Sequence, residues 1–548
     1  MKKVIPFLLL FLGAILFAEK EKQPNIVIII CDDLNDSIEG MGGHPQTITP
    51  NINRLIKSGV RFTNAASNAP ICGPSRASMW SGLHPISTGL YGGNQHKERW
   101  YQNSVLKSKK TLFEVFTSQG YYNFATGKIH HNGHQKLAIF ENTDGSSGWG
   151  SYPNFGPIPN DGKEANFRRG VLPPWWPDNE KAGNWGDGFG PIQDISMYGE
   201  RYGWTMFYNG QPWEYRDGHN RDLMPDEIHA NEAVSFLSEK KDQPFILTVG
   251  FSRPHSPWYA PQEFFDMFPL ETIELAPYLK NDLEDCARIL AEDRDLAEPW
   301  GWYKYSKIIN NGGEEKLKRW TQAYLACVAF VDAQVGKVLD KLKETGLDKN
   351  TIVVFTSDHG YHLGEKGHWQ KQTLYDRATR VPLIISGPGI ISGLKIKDSP
   401  VELVDLYKTI MDMANISTPE FVQGFSLKDV LTKNIQPKRK SALSEINVYL
   451  EGKKAQGYSI KTDRFRLIKW NHKDQNYYEL YDHKFEKEEN VNLVNNPKYN
   501  KVIDSLKVIL DNRITAARKK PKGLGRQFKN AKPNFEPKRI YSSEKSKL

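Results

Sequence analysis

Only four cysteines occur in 548 residues, and no two of them stand in C-x-x-C spacing. That excludes a disulfide-stapled scaffold and leaves a thiolate zinc site without support. Long hydrophobic runs are also missing. The apolar stretch Val4–Phe17 has fourteen residues, which is short for a membrane span. The body of the chain carries no excess of either charge. The formal net charge is +9, but from Arg513 onward twelve Lys and Arg residues face only Glu536 and Glu544. The rest is therefore close to neutral, which argues against a nucleic-acid binder, and only the tail is basic. No internal repeat is visible. What is present is an ordinary globular balance: 39% hydrophobic, 12% aromatic and 25% charged residues. This excludes a mainly disordered, collagen-like or membrane-spanning chain.

The N-terminus reads as an address. Lys2 and Lys3 precede the apolar stretch and Phe17-Ala18 ends it, so residues 1–18 are expected to form a signal peptide. No cysteine follows to carry a lipid. A periplasmic or secreted protein without a stable membrane anchor is expected.

Beyond it, Asn25–Cys31 reads N-I-V-I-I-I-C, a continuous β-branched run of the kind buried on both faces of a parallel sheet. Further strands are expected at Tyr121–Thr126, Phe245–Phe251, Thr351–Thr356 and Val381–Ser386. Helices are expected from Pro50, capped by Thr49 and stopped at Gly59, and over Asp226–Glu239, Leu317–Thr345 and Val401–Met413. Strands alternating with helices predict an α/β fold with a large, mainly parallel sheet sandwiched by helices. Residues from about 133 to 225, rich in Gly, Pro, Asn and Trp, read as long insertions on the loop side of that sheet. After about Gln436, short strands at Gly457–Ile460, Phe465–Trp470 and Tyr477–Tyr481 and a helix around Val502–Leu510 predict a small antiparallel subdomain. The expected division is a catalytic domain over 24–435, the subdomain over 436–518 and a basic tail over 519–548.

Ligands in such folds bind outside the carboxyl ends of the strands. Asp32-Asp33 follows the first strand, and Asp358-His359-Gly360 follows the strand beginning at Thr351. If the two strands are parallel neighbours, three carboxylates and an imidazole converge, and that much negative charge requires a cation. Oxygen ligands with one nitrogen favour calcium or magnesium over zinc. A plain turn or helix cap is the alternative use of the Asp32-Asp33 pair.

Between these clusters, Ala69–Arg76 reads A-P-I-C-G-P-S-R, followed by A-S-M-W-S-G-L-H-P. A cysteine before x-P-S-R resembles the signature of the sulfatase family. The rest of that family's pattern follows in order: D-D-L-N, G-K-I-H-H, R-P-H, D-H-G and a later lysine, then E-L-Y-D, Glu489 and Asn492-Leu493. The resemblance covers about residues 24–510. D-D-L-N, the Asp358-His359 pair and G-E-K-G-H-W-Q-K at Gly364–Lys371 are similar to the iduronate-2-sulfatase branch.

The resemblance implies that Cys72 is converted by a maturase to formylglycine, whose hydrated aldehyde is the nucleophile. It implies one divalent cation, calcium ahead of magnesium, held by Asp32, Asp33, Asp358, His359 and residue 72. Arg76, Lys128 and Lys371 would stabilise the nucleophile and the sulfate oxygens. His255 would protonate the leaving group, and His131 would serve as the base. The K-I-H-H spacing leaves His130 as the alternative to His131. The substrate implied is a sulfated oligo- or polysaccharide, most specifically a uronate 2-O-sulfate. Arg253, Lys366, Arg377 and Arg380 are candidates for a sugar carboxylate, with structural ion pairs as the alternative for the last two. Trp149, Trp175, Trp176, Trp185, Trp204 and Trp213 suit sugar stacking or plain packing. His362 and His368 could face the substrate or support the loop. Two rival functions remain at this level: a phosphate mono- or diester hydrolase of the same superfamily, and a glycan-binding relative without turnover.

Overall fold

The computed structural model describes residues 23–91, 103, 105–131, 219–256, 258–279, 282–287, 313–450 and 453–518, with short strand segments at 153–154, 189–192 and 205–206. The expected signal peptide, nearly all of the insertion, its tryptophans and the basic tail lie outside the described residues.

In chain order the principal elements of the large domain are β1 (Asn25–Asp32), α1 (Pro50–Ser58), β2 (Gly59–Ala66), α2 (Cys72–Ser81), α3 (Leu112–Ser118), β3 (Tyr122–Gly127), α4 (Pro225–Ser238), β4 (Phe245–Pro254), α5 (Gly313–Glu344), β5 (Thr351–Ser357), β6 (Arg380–Ser386), β7 (Leu394–Ile396), β8 (Val401–Glu402) and α6 (Asp405–Met413). The sheet order is β7-β2-β6-β5-β1-β4-β3, with β8 also on β2. β1 pairs in parallel with β4 and β5, and β3 with β4, while β6 runs antiparallel between β5 and β2. The apolar run of β1 is explained by burial on both faces. Val27, Ile29 and Cys31 pack on one side with α5, and Ile26, Ile28 and Ile30 pack on the other with α2, α3 and α6.

Two local expectations are corrected. Thr49 precedes α1 but does not cap it, because its hydroxyl accepts the Glu39 N–H at 2.9 Å. The cap comes from α5: the Asp332 carboxylate accepts the N–H groups of Asn51 (3.1 Å) and Ile52 (2.8 Å). α1 stops at Gly59 as expected, although that residue is extended, with φ −142°, and opens β2 directly. Val401-Glu402 is a strand paired with Ala65 and Ala66, so the helix expected from Val401 begins only at Asp405.

The C-terminal part is an antiparallel sheet of β9 (Ala442–Leu450), β10 (Lys453–Lys461), β11 (Phe465–His472) and β12 (Gln475–Asp482), followed by α7 (Asn500–Arg518). One face packs Ile446, Ile468, Trp470 and Tyr481 against Leu374 and Tyr375 of the large domain. The other packs Leu443, Ile460, Leu467 and Leu480 under Ile503, Leu506, Leu510 and Ile514 of α7.

Candidate active site

Strand register makes the site. Cys31 pairs with Ser357, so the residues that follow β1 and β5 emerge side by side. Asp33 turns the chain at φ +66° and donates its N–H to Asp358 Oδ1 at 3.3 Å, while the Leu34 N–H donates to Ser357 Oγ at 3.0 Å. On the other flank Asp32 aligns with Pro254, which brings His255 alongside, and Gly127 aligns with Gly250. The Lys128 N–H donates to the Gly250 carbonyl at 2.8 Å. That approach requires Gly127: its φ is +78°, and a Cβ there would lie 2.0 Å from the Gly250 oxygen.

Cys72 is the first residue of α2 and Arg76 stands one turn later, both buried. Arg76 Nε donates to Asp358 Oδ2 at 2.9 Å, Nη2 lies 3.4 Å from Asp32 Oδ1, and Nη1 donates to the carbonyls of Lys128 and Ile129. Lys128 pairs with Asp32. Lys371 Nζ lies 2.6 Å from Asp33 Oδ1 and 3.4 Å from Cys72 Sγ. His359 Nε2 is 3.2 Å from Cys72 Sγ and 3.4 Å from Asp33 Oδ1. His255 Nε2 is 3.8 Å from Asp33 Oδ2. Three carboxylates thus face three basic side chains in a space shielded from water.

The electrostatics follow from burial and these partners. Burial pushes the Cys72 thiol well up, helped by Asp32, so the unmodified cysteine is a thiol and not a thiolate nucleophile. Burial would raise Asp32, but Lys128, His255 and Arg76 overcome it and hold its carboxyl well below the usual range. Asp33 is raised by burial against the pull of Lys371. Burial and then Lys371 push His255 well down.

The donor set suits a divalent cation. One ligand atom each from Asp32, Cys72, Asp358 and His359 lies within 4.8 Å of all the others. Asp32 Oδ1 and Asp33 Oδ2 are buried and accept no hydrogen bond. His359 Nδ1 lies 2.9 Å from the Gly360 carbonyl, to which it donates, and this turns Nε2 toward the carboxylates. A mostly oxygen set with one imidazole fits calcium or magnesium.

His130 stands edge-on to the Phe113 ring at 6.4 Å, and burial together with Arg76 pushes it down to about 3. His131, half-buried, ends the described stretch after β3. His362 and His368 support the loop that carries Lys371. His362 Nε2 bonds Thr373 Oγ1 at 2.7 Å, and His368 Nε2 bonds the Lys371 carbonyl at 2.9 Å.

The four cations suggested for a sugar carboxylate are engaged within the protein. Arg253 Nε donates to the Tyr259 carbonyl at 3.0 Å and Nη1 to the His255 carbonyl at 2.7 Å. Lys366 pairs with Asp282 at 2.7 Å between the rings of Tyr375 and Tyr481. Arg377 pairs with Asp36 and Glu488, and Arg380 with Asp36 and Asp376. Sequence reasoning missed Asp36, which ties the D-D-L-N turn to both arginines, and Ser75, whose hydroxyl donates to the Asp358 carbonyl at 2.5 Å. It also missed Asp226, which reads in sequence as an ordinary acid in the first turn of a helix.

A family model described as Sulfatase matches residues 24–416, and one described as N-sulphoglucosamine sulphohydrolase, C-terminal, matches residues 364–516. A sulfatase of Formosa agariphila is 34% identical over 495 residues, spanning 89% of this chain and 86% of its own. Iduronate 2-sulfatase of Mus musculus is 30% identical over 423 residues, spanning 72% of this chain and 69% of its own. Among solved structures, a 2-O GAG sulfatase superposes with a TM-score of 0.65 at 23% identity, covering 91% of this chain and 93% of that one. The class is an α/β fold with a large, mainly parallel sheet between helices and a small antiparallel sheet beside it, shared with that structure. Within that class the chain belongs to the sulfatase family and hydrolyses sulfate esters.

Proposed function

We propose that the chain is a formylglycine-dependent glycan sulfatase, periplasmic or secreted, that removes a uronate 2-O-sulfate from a polysaccharide. The observation that carries the catalytic part is Cys72, in C-G-P-S-R, at the start of α2 among three buried carboxylates and three buried cations. The uronate part rests on the likeness to iduronate 2-sulfatase; the arginines that once suggested a carboxylate subsite are engaged elsewhere. No helix among the described residues is long and apolar enough to cross a membrane. In this reading residues 24–435 form the catalytic domain, 436–518 the subdomain and 519–548 the tail.

Formylglycine, installed at Cys72 by a maturase, would supply a hydrated aldehyde as nucleophile, and a divalent cation, calcium in this reading, held by Asp32, Asp33, Asp358 and His359, would supply positive charge beside it. The chain's own groups do the rest. Arg76 fixes Asp358 and the first turn of α2. Lys128 and Lys371 bind sulfate oxygens and withdraw charge as the S–O bond breaks. His255 delivers a proton from Nε2 to the leaving sugar oxygen, since its Nδ1 is committed to the Ser256 carbonyl at 2.5 Å. An anion docked on Lys371 and Lys128 offsets the charges that disfavour the imidazolium. His131 accepts a proton from the nucleophile. The test is sulfate release by matured, calcium-loaded protein from a 2-O-sulfated uronate oligosaccharide and from a sulfated neutral galactan. Preference for the uronate supports the reading. Preference for the galactan overturns the uronate assignment and leaves the sulfatase.

A further inference from the structure

β4 leaves the sheet just before it delivers His255. On both flanks the regular ladder ends at Gly250, and the register with β1 then shifts, so that Asp32 lies opposite Pro254. A bulge of this kind interrupts the regular ladder and leaves backbone donors to find other partners. Asp226, the second residue of α4 and 1% exposed, takes two of them. Its Oδ1 accepts the Ser252 N–H and its Oδ2 accepts the Arg253 N–H, each at 2.8 Å. Two further bonds clamp the same short stretch. The His255 N–H donates to the Ser252 carbonyl at 2.9 Å, and Arg253 Nη1 donates to the His255 carbonyl. With the main chain fixed on both sides and Nδ1 on Ser256, the imidazole has one orientation, with Nε2 toward the site.

We propose that Asp226 is a positioning residue for His255: its carboxylate holds the bulged end of β4 so that Nε2 meets the leaving oxygen. The proposal rests on the reading of His255 as proton donor. It goes beyond a buried carboxylate that merely stabilises a turn, because it specifies which substrates suffer when the carboxylate is lost. An ester whose leaving group is already stable as an anion needs little protonation, whereas a poor leaving group depends on it.

The experiment uses matured, calcium-loaded full chain and a series of aryl sulfates from phenyl sulfate to 4-nitrophenyl sulfate. Asp226→Asn keeps the volume but offers one acceptor where two donors must be met. Its kcat on phenyl sulfate should fall about ten- to a hundredfold and on 4-nitrophenyl sulfate less than about threefold, with KM nearly unchanged on both. His255→Ala should show the same selectivity more strongly, and the double variant should be no slower than His255→Ala. Asp226→Glu, which keeps both acceptor oxygens, should recover part of the loss. Equal losses on all aryl sulfates in Asp226→Asn, beside a selective His255→Ala, overturn the positioning role alone. A His255→Ala without leaving-group selectivity overturns the proton-donor reading itself. If thermal unfolding shows Asp226→Asn to be unfolded, Arg253→Lys carries the test: it removes the clamp on the His255 carbonyl and must show the same selectivity.

Discussion

Arg76→Met should destabilise the cation-free protein sharply and lose much of that effect when a divalent cation is supplied. Arg76 lies at no solvent exposure between Asp358, 2.9 Å from Nε, and Asp32, 3.4 Å from Nη2. It also satisfies the carbonyls of Lys128 and Ile129. Methionine fills the volume but leaves three buried carboxylates facing two cations, Lys128 and Lys371. Removing one partner of a buried ion pair typically costs about 3–5 kcal/mol, and each carbonyl left without a donor adds about 1 kcal/mol. A divalent cation changes the sum. The wild-type site would carry two surplus positive charges with the ion bound, the variant only one. The ion therefore binds the variant with less repulsion and stabilises it more, on top of the roughly 2.7 kcal/mol that any site gains at a hundred times its Kd. Urea unfolding followed by tryptophan fluorescence, with chelator and with calcium, reads both numbers. A loss of less than about 1 kcal/mol in chelator would refute the charge balance assigned to the site. A gap between wild type and variant that does not narrow with calcium would refute the cation as its fourth positive partner.

Asp358→Asn should lose the bound divalent cation by elemental analysis, together with sulfate release; full occupancy would remove Asp358 from the ligand set. Mass spectrometry of the peptide containing Cys72, from protein made with a maturase, should show thiol converted to aldehyde, consistent with four buried cysteines none of which is in a disulfide. A stable disulfide from Cys72 would sink that reading. Acid stability should depend on Glu402: burial opposes its ionisation, but Arg439 and Arg513 hold its carboxyl down to about 2, below the ordinary 4.5. The stabilisation is therefore complete above about pH 4.5 and is lost as pH falls toward 2, so Glu402→Gln should flatten that limb of the stability curve. Arg377→Ala should lower the unfolding midpoint through its pairs with Asp36 and Glu488 while leaving KM within about twofold; a large rise in KM at unchanged stability would return Arg377 to the substrate.

β1 and β5 were legible because a strand buried on both faces must be apolar at every position, and that leaves a continuous run. The residues that converge were legible because each follows such a strand, and parallel neighbours deliver their ends to one edge. β2 was missed for the opposite reason. G-V-R-F-T-N-A-A places Arg61, Thr63 and Asn64 in the strand, where Asn64 is satisfied by carbonyls far along the chain, at Asp398 and Thr462. β9 was missed likewise, since Glu445 and Asn447 are buried within it. The cap on α1 could not be read locally, because Asp332 comes from α5. Arg377 and Arg380 carried an even choice between substrate and ion pair, and only the position of Asp36 beside them decides it. Asp226 illustrates the same limit: an acid at the start of a helix gives no sign that its carboxylate serves another strand.

The most direct measurement of the central claim is release of inorganic anion from matched esters by the matured, calcium-loaded protein. One arm uses 4-nitrophenyl sulfate and the other 4-nitrophenyl phosphate, with Cys72→Ala beside the wild type. The account predicts sulfate release by the wild type, little phosphate release, and no turnover of either ester by the folded Cys72→Ala variant. Faster phosphate release, or sulfate release that survives Cys72→Ala, would contradict it.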